Sequence, residues 1–154
     1  MSAQPEVYPA LYPGGLVEVA LDALPGAFAT VTETPLRRRL VSQLRLFIGH
    51  LQQLGVRGDI WVDGSFATQK PDPQDIDVAL AIGLPALAAM ADANKQRLEY
   101  LMNEEGRAYA RTKWNVDFYV FHATDFAARQ YWFDLFSRNP DSSNPKGIPF
   151  VKLT

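Results

Sequence analysis

Three short β-forming runs carry aspartates among apolar residues: Asp59-Ile60-Trp61-Val62-Asp63, Asp75-Ile76-Asp77-Val78-Ala79-Leu80-Ala81-Ile82 and Trp114-Asn115-Val116-Asp117-Phe118-Tyr119-Val120-Phe121. Alternate residues of a strand share a face, so Ile76, Val78, Leu80 and Ile82 make one wholly apolar side. Such a side has to be covered by another layer. The segments between the runs supply it. Thr34-Pro35 offers an N-cap and a first-turn proline to a helix in which Leu36, Leu40, Leu44, Phe47, Leu51 and Leu54 recur at intervals of three and four before Gly55. Leu84 to about Asn103 is Ala-rich and reads as a second helix, followed by a polar connection through Gly106 and Arg111. Thr124-Asp125 caps a last, aromatic helix running to about Ser137. The chain therefore predicts a single α/β (α+β) domain with a mixed sheet and packed helices.

The flanks read differently. Residues 1–35 hold Pro5, Pro9, Pro13, Gly14, Gly15, Pro25, Gly26 and Pro35, breakers that predict an extended arm with only Leu16 to Leu21 strand-like. The core is expected over 36–137, and 138–154 as a C-terminal loop ending in a short strand, Phe150 to Leu153. With 154 residues there is room for one domain and no second catalytic unit. Fifteen Lys+Arg against 17 Asp+Glu leave a net charge of −2, so no strong general nucleic-acid binding is expected. The absence of cysteine excludes disulfides, thiolate zinc sites and a Cys nucleophile. No apolar run approaches the ~20 residues a bilayer span needs, and a cytoplasmic protein without membrane contact is expected.

The aspartates need an explanation. Asp75 and Asp77 stand two residues apart and project together, and two like charges that close repel unless a cation lies between them. Asp117 sits within an apolar strand, where an unpaired carboxylate is costly. One answer is that the strands adjoin and all three carboxylates converge on hard divalent cations, for which oxygen ligands suit Mg²⁺. The other is that Asp75 caps a turn, Asp77 meets water at an edge and Asp117 pairs with Arg111 or Lys113. Gly64-Ser65 at the end of the first run is either a phosphate cradle, with close backbone N–H groups and a hydroxyl donor, or an ordinary glycine turn.

A hydrophobic strand, Gly64-Ser65, a spacer of residues 66–74, Asp75-Ile76-Asp77 and a lone Asp117 resemble the DNA polymerase β-like nucleotidyltransferase superfamily. The fuller string with Asp63, Phe66, Lys70-Pro71, Pro73 and Pro145-Lys146-Gly147-Ile148 is similar to a small uncharacterised bacterial branch of it. The resemblance covers roughly Leu36 to Phe121 and implies the minimal nucleotidyltransferase fold. It implies that Asp75, Asp77 and Asp117 are the catalytic and metal-binding residues for Mg²⁺ or Mn²⁺. It implies also that Gly64 and Ser65 hold the nucleotide phosphates, with Lys70 as a counter-charge. Asp63 departs from the broader pattern, which has an apolar residue there. The implied activity moves an NMP from an NTP to a hydroxyl on a protein, an RNA end or a small molecule. Resemblance to minimal nucleotidyltransferases found beside toxins implies a partner protein as acceptor and a toxin–antitoxin or phage-defence setting. The rival is a nucleotide sensor or antitoxin of the same fold that acts by occlusion.

The remaining candidates have plainer readings. Arg37, Arg38, Arg39 and Arg45 read as a solvated helix surface, with a phosphate or RNA contact as the alternative. No Gly-x-Ser-x-Gly surrounds Ser65, and His50 and His122 are too far apart in sequence to form a zinc-binding helical pair. Phe126, Tyr131, Trp132, Phe133 and Phe136 are expected in the core except for one exposed ring at a partner or homo-oligomer interface. Lys146-Gly147 is a turn, or a phosphate contact.

Overall fold

The computed structural model describes residues 10–12, 14–30, 33–138 and 146–154, with every side chain among them except that of Ser65. Its strands are β1 Leu16–Glu18, β2 Gly58–Asp63, β3 Ile76–Ile82, β4 Val116–His122 and β5 Ile148–Leu153. Its helices are α1 Leu24–Ala27, α2 Pro35–Gln53, α3 Leu84–Ala89, α4 Asp92–Met102, α5 Glu104–Trp114 and α6 Phe126–Phe136. The strands form one mixed sheet in the order β1-β5-β2-β3-β4, with β2 antiparallel to β3 and β5, and β4 parallel to β3.

The alternation in the sequence decides which layer covers which face. Ile60, Val62, Ile76, Val78, Leu80, Val116 and Phe118 turn to one side and meet Leu40, Leu44, Phe47 and Leu51 of α2 and Trp114 of α5. On the other side Trp61, Ala79, Ala81 and Phe121 pack against Trp132 and Phe136 of α6. The small Ala79 and Ala81 leave room for these rings. The expectation of a mostly buried aromatic helix holds for Phe136, whereas Phe126 and Tyr131 are both exposed. No described helix is long and apolar enough to cross a membrane.

Several boundaries differ from the periodicity reading. The second helix divides into α3 and α4, because Met90 turns inward to 6% exposure and leaves the helical path with extended backbone. The supposed polar connection is α5. Asn103 caps it by accepting the Gly106 N–H at 2.9 Å, and its buried stripe consists of Gly106, Ala110 and Trp114, too small in two positions to register as an apolar period. Trp114 thus ends a helix rather than starting β4, and Asn115 at φ 56° makes the left-handed exit. β5 begins at Ile148 and lies inside the sheet, between β1 and β2. Its ladder to β2 stops at Trp61–Phe150, so the missing N–H of Pro149 falls beyond the last rung. The N-terminal arm also builds core: β1 pairs with β5, and Leu24 and Phe28 are fully buried.

Arg37 overturns the solvated reading of the arginine run. Arg38 and Arg39 are exposed, but Arg37 is at 0% exposure. Its guanidinium donates to the carbonyls of Lys70 (2.7 Å), Phe66 (2.7 Å) and Phe28 (3.3 Å) and lies over the Phe66 ring. Thr34 Oγ1 donates to Pro71 O at 2.7 Å. The start of α2 therefore fastens the whole connection from β2 to β3. Arg37→Met should cost about 3 kcal/mol in urea denaturation, since it strands buried carbonyls, whereas Arg38→Met should stay within about 0.5 kcal/mol.

Candidate functional site

The sheet register sets the site. Asp63 of β2 lies opposite Asp77 of β3, and Asp77 lies opposite Asp117 of β4. In-register residues of adjacent strands share a face, so the three form a row across the sheet, on the side covered by α6. Asp75 stands two residues before Asp77, is exposed, and extends the row outward. Strand pairing thus brings together the Asp75, Asp77 and Asp117 singled out in the sequence, and adds Asp63.

Gly64 turns the chain directly beside this row. Its φ is +87°, and a Cβ placed on it would come within 2.8 Å of Asp77 Oδ2. Glycine is required both for the left-handed backbone and for the close approach of that carboxylate. Ser65 opens a 3₁₀ turn, Ser65–Ala67, whose N–H of Ala67 donates back to Gly64 O at 3.1 Å. The Ser65 side chain, expected to contact phosphate, lies outside the described residues. Lys70 is used through its backbone: its carbonyl accepts from Arg37 and its N–H donates to Thr68 Oγ1. Among the described residues its ammonium makes no ion pair with the carboxylates.

The counter-charges come from elsewhere. Lys146, buried at 8% exposure, places Nζ 2.5 Å from Asp63 Oδ1. Neither the turn nor the phosphate reading of Lys146 anticipated this pair, which neutralises the departure at Asp63. Arg107 Nη2 and Arg111 Nη1 of α5 donate to Asp117 Oδ1 at 2.9 and 3.3 Å, and Tyr119 OH donates to Oδ2 at 2.7 Å. The Arg111 pairing is the one the plainer reading named, whereas Lys113 instead lies over the Tyr109 and Trp114 rings. Arg107 and Tyr119 had no sequence signal of their own: both depend on knowing that α5 is a helix flanking β4.

These partners divide the row electrostatically. Burial pushes Asp117 upward, but the hydrogen bonds from Tyr119 and Arg107 and the charges of both arginines outweigh it and hold the carboxyl below its ordinary value. Tyr119 is pushed up to about 12 by burial and by its bond to Asp117. Asp63 rises to about 6, because burial outweighs Lys146 and the Gly64 N–H. Asp77 rises to about 7 through burial and then the charges of Asp75, Asp63 and Asp117, against which Lys146 works.

The row has the hard oxygen donors that suit a divalent cation, and excess negative charge around Asp77. Yet the expectation that Asp75, Asp77 and Asp117 already converge on one ion is not met. Among the described residues no three His, Asp or Glu side chains are grouped to hold a metal. The reason is local: Asp77 leans on Gly64 while both oxygens of Asp117 are taken by α5 and Tyr119. The donor chemistry fits a divalent ion, with Asp117 needing release from its cations. A groove of about 750 Å³ along α2, lined by Leu46, His50 and Trp114 among others, contains no carboxylate and is separate from this row.

Fold and site define a single-domain α/β protein with an acidic row at one end of its sheet, fringed by buried and half-buried cations. The chain belongs to DUF6932, a family of unknown function, which matches residues 7–152. No curated protein and no solved structure matches it.

The raised values at Asp77 and Asp63 give stability a pH dependence of definite sign. From about pH 4 to 7 the folded chain holds protons that the unfolded chain has lost, so their contribution falls as pH rises through this window. Asp77→Asn should be more stable than the wild type by on the order of 2 kcal/mol at pH 8, after allowance for screening, with the difference vanishing near pH 4. Urea denaturation at pH 4, 6 and 8 measures it, and a pH-independent difference would contradict the charge crowding.

Proposed function

We propose that this protein is a divalent-metal-dependent nucleotidyltransferase of the DNA polymerase β-like superfamily, moving an NMP from an NTP to a hydroxyl. The observation that carries the reading is the row Asp63–Asp77–Asp117, in register, with Asp75 at its rim and the Gly64 turn against Asp77. Asp75, Asp77 and Asp117 would hold Mg²⁺ or Mn²⁺, and the backbone at Gly64 and Ser65 would face the nucleotide phosphates. When bound, the ions supply charge neutralisation at the phosphates and a lowered pKa for the acceptor hydroxyl. In the overall reaction the acceptor oxygen bonds to the α-phosphorus, the α–β phosphoanhydride bond breaks, and pyrophosphate leaves. The hydroxyl proton passes to a carboxylate of the cluster or to solvent. Lys146 keeps Asp63 from adding a free negative charge beside the phosphates. A partner protein, an RNA end and a small molecule are all acceptors compatible with this chemistry, and a toxin–antitoxin or phage-defence setting would follow from the first.

One observation favours a second reading. Asp117 is satisfied by three donors, as suits a nucleotide- or partner-binding module that does not turn over. Incubation of the protein with α-³²P-labelled NTPs, Mg²⁺ or Mn²⁺ and a cell lysate separates the two. The transferase reading expects label on a macromolecule or small acceptor, and a loss of about a hundredfold or more in Asp77→Asn and Asp117→Asn, roughly 3 kcal/mol of transition-state stabilisation. Nucleotide binding without labelling in lysate, with all four NTPs, would establish the binding module instead.

A further inference from the structure

We infer that Arg107 and Arg111, paired with Asp117, are the polyphosphate-binding half of this site and exchange that carboxylate for the phosphates of a metal-bound nucleotide; the inference rests on the nucleotidyltransferase reading above. The two residues stand one helical turn apart on α5, so they share a face. Both direct a guanidinium nitrogen to the same atom, Asp117 Oδ1. This is not the geometry of a dedicated arginine–carboxylate pair, in which one planar fork takes both oxygens. Here the second oxygen belongs to Tyr119, and the buried Nε of Arg107 has no hydrogen-bond partner among the described residues. Arg111 retains 45% side-chain exposure.

The distribution of charge points the same way. Two guanidiniums crowd one carboxylate at Asp117, while among the described residues Asp63, Asp75 and Asp77 together have one ion pair, that of Lys146 with Asp63. The site therefore has a cationic pole on α5 and an acidic pole at the ends of β2 and β3, side by side. A free cation matches only one pole and a free polyphosphate only the other. A divalent cation complexed with a triphosphate matches both: carboxylates take the ion, and the guanidiniums displaced from Asp117 take phosphate oxygens, for which their forks are suited. Arg107 stacks on Tyr119 with its guanidinium carbon 4.4 Å from the ring centroid.

The test uses the full-length protein, Mn²⁺ alone, and Mn²⁺ with a non-hydrolysable NTP analogue, each titrated calorimetrically. In Arg107→Gln, Mn²⁺ alone should bind more tightly by about tenfold, because Asp117 is freed, while the Mn²⁺–nucleotide complex should bind about tenfold more weakly. Arg111→Gln should shift both in the same senses by less, and it keeps the test available should Arg107→Gln fail to fold. Arg38→Gln, an equal change of net charge on the exposed face of α2, should alter neither. Opposite signs for the two ligands support the inference. Nucleotide affinity unchanged in both arginine variants, or metal and nucleotide affinities falling together, overturns it and leaves the nucleotidyltransferase reading intact. A wild-type protein that binds neither ligand overturns both.

Discussion

Asp63, Asp77 and Asp117 face one another across three adjacent strands because β2, β3 and β4 pair in that register, and Asp75 joins them from the loop. The side-chain alternation fixes which face each residue takes, since a shift of one residue would exchange the two faces of a strand, and the observed pairing sets the three acids level with one another. The repulsion has to be met locally, and much of the remaining structure around the row meets it. The C-terminal segment delivers Lys146 to Asp63, α5 delivers Arg107 and Arg111 to Asp117, and Tyr119 closes the second oxygen of Asp117. Among the described residues Asp77 has no such cation to itself, and it rests against the bare backbone of Gly64. The acid left least compensated is thus the central one.

A second buried charge holds the surroundings of the row in place. Arg37 reaches from the first turn of α2 to the carbonyls of Phe28, Phe66 and Lys70, joining the N-terminal arm, the Gly64–Ser65 turn region and the loop before β3. A guanidinium suits this because its planar fork reaches several carbonyls at once, and its face can lie on the Phe66 ring. The Phe28 and Phe66 rings stack at 4.7 Å beside it, so the loop is held by packing as well as by hydrogen bonds. The turn beside Asp77 is therefore set by residues far from it in sequence. The site needs such bracing, since Gly64 adopts a backbone conformation that has little intrinsic preference.

The strands and long helices were legible because their signals are periodic and local. The helix expected from Leu36 to Leu54 is α2, and Asp125 caps α6 as its position suggested, accepting the Ala128 N–H at 3.1 Å. α5 was hidden because its buried face is Gly106, Ala110 and Trp114, so its apolar period is carried by one large residue. Gly106 is there for contact with the backbone at Tyr100 and Leu101, a reason invisible before α4 and α5 are known to pack together. β5 was shortened in prediction by Pro149, which in the sheet lies just past the end of the ladder with β2.

What the sequence by itself determined is the α/β layering and the identity of the acids: alternation puts Asp77 on the face of its strand opposite Ile76, Val78, Leu80 and Ile82, with Asp75 two residues before it, and sets Asp117 apart as a lone acid in an apolar strand. It also marked Gly64 as a turn between two of those strands. Tertiary structure alone decided that Asp63 joins the row, and that Lys146 and Arg107 face it. It decided too that Arg37 is a buried fastening and not a surface charge. The physical reason is range. Hydrophobic period and turn chemistry act over a few residues, whereas an ion pair between residues 63 and 146 exists only once β5 has entered the sheet beside β2 and brought the two charges out of water together.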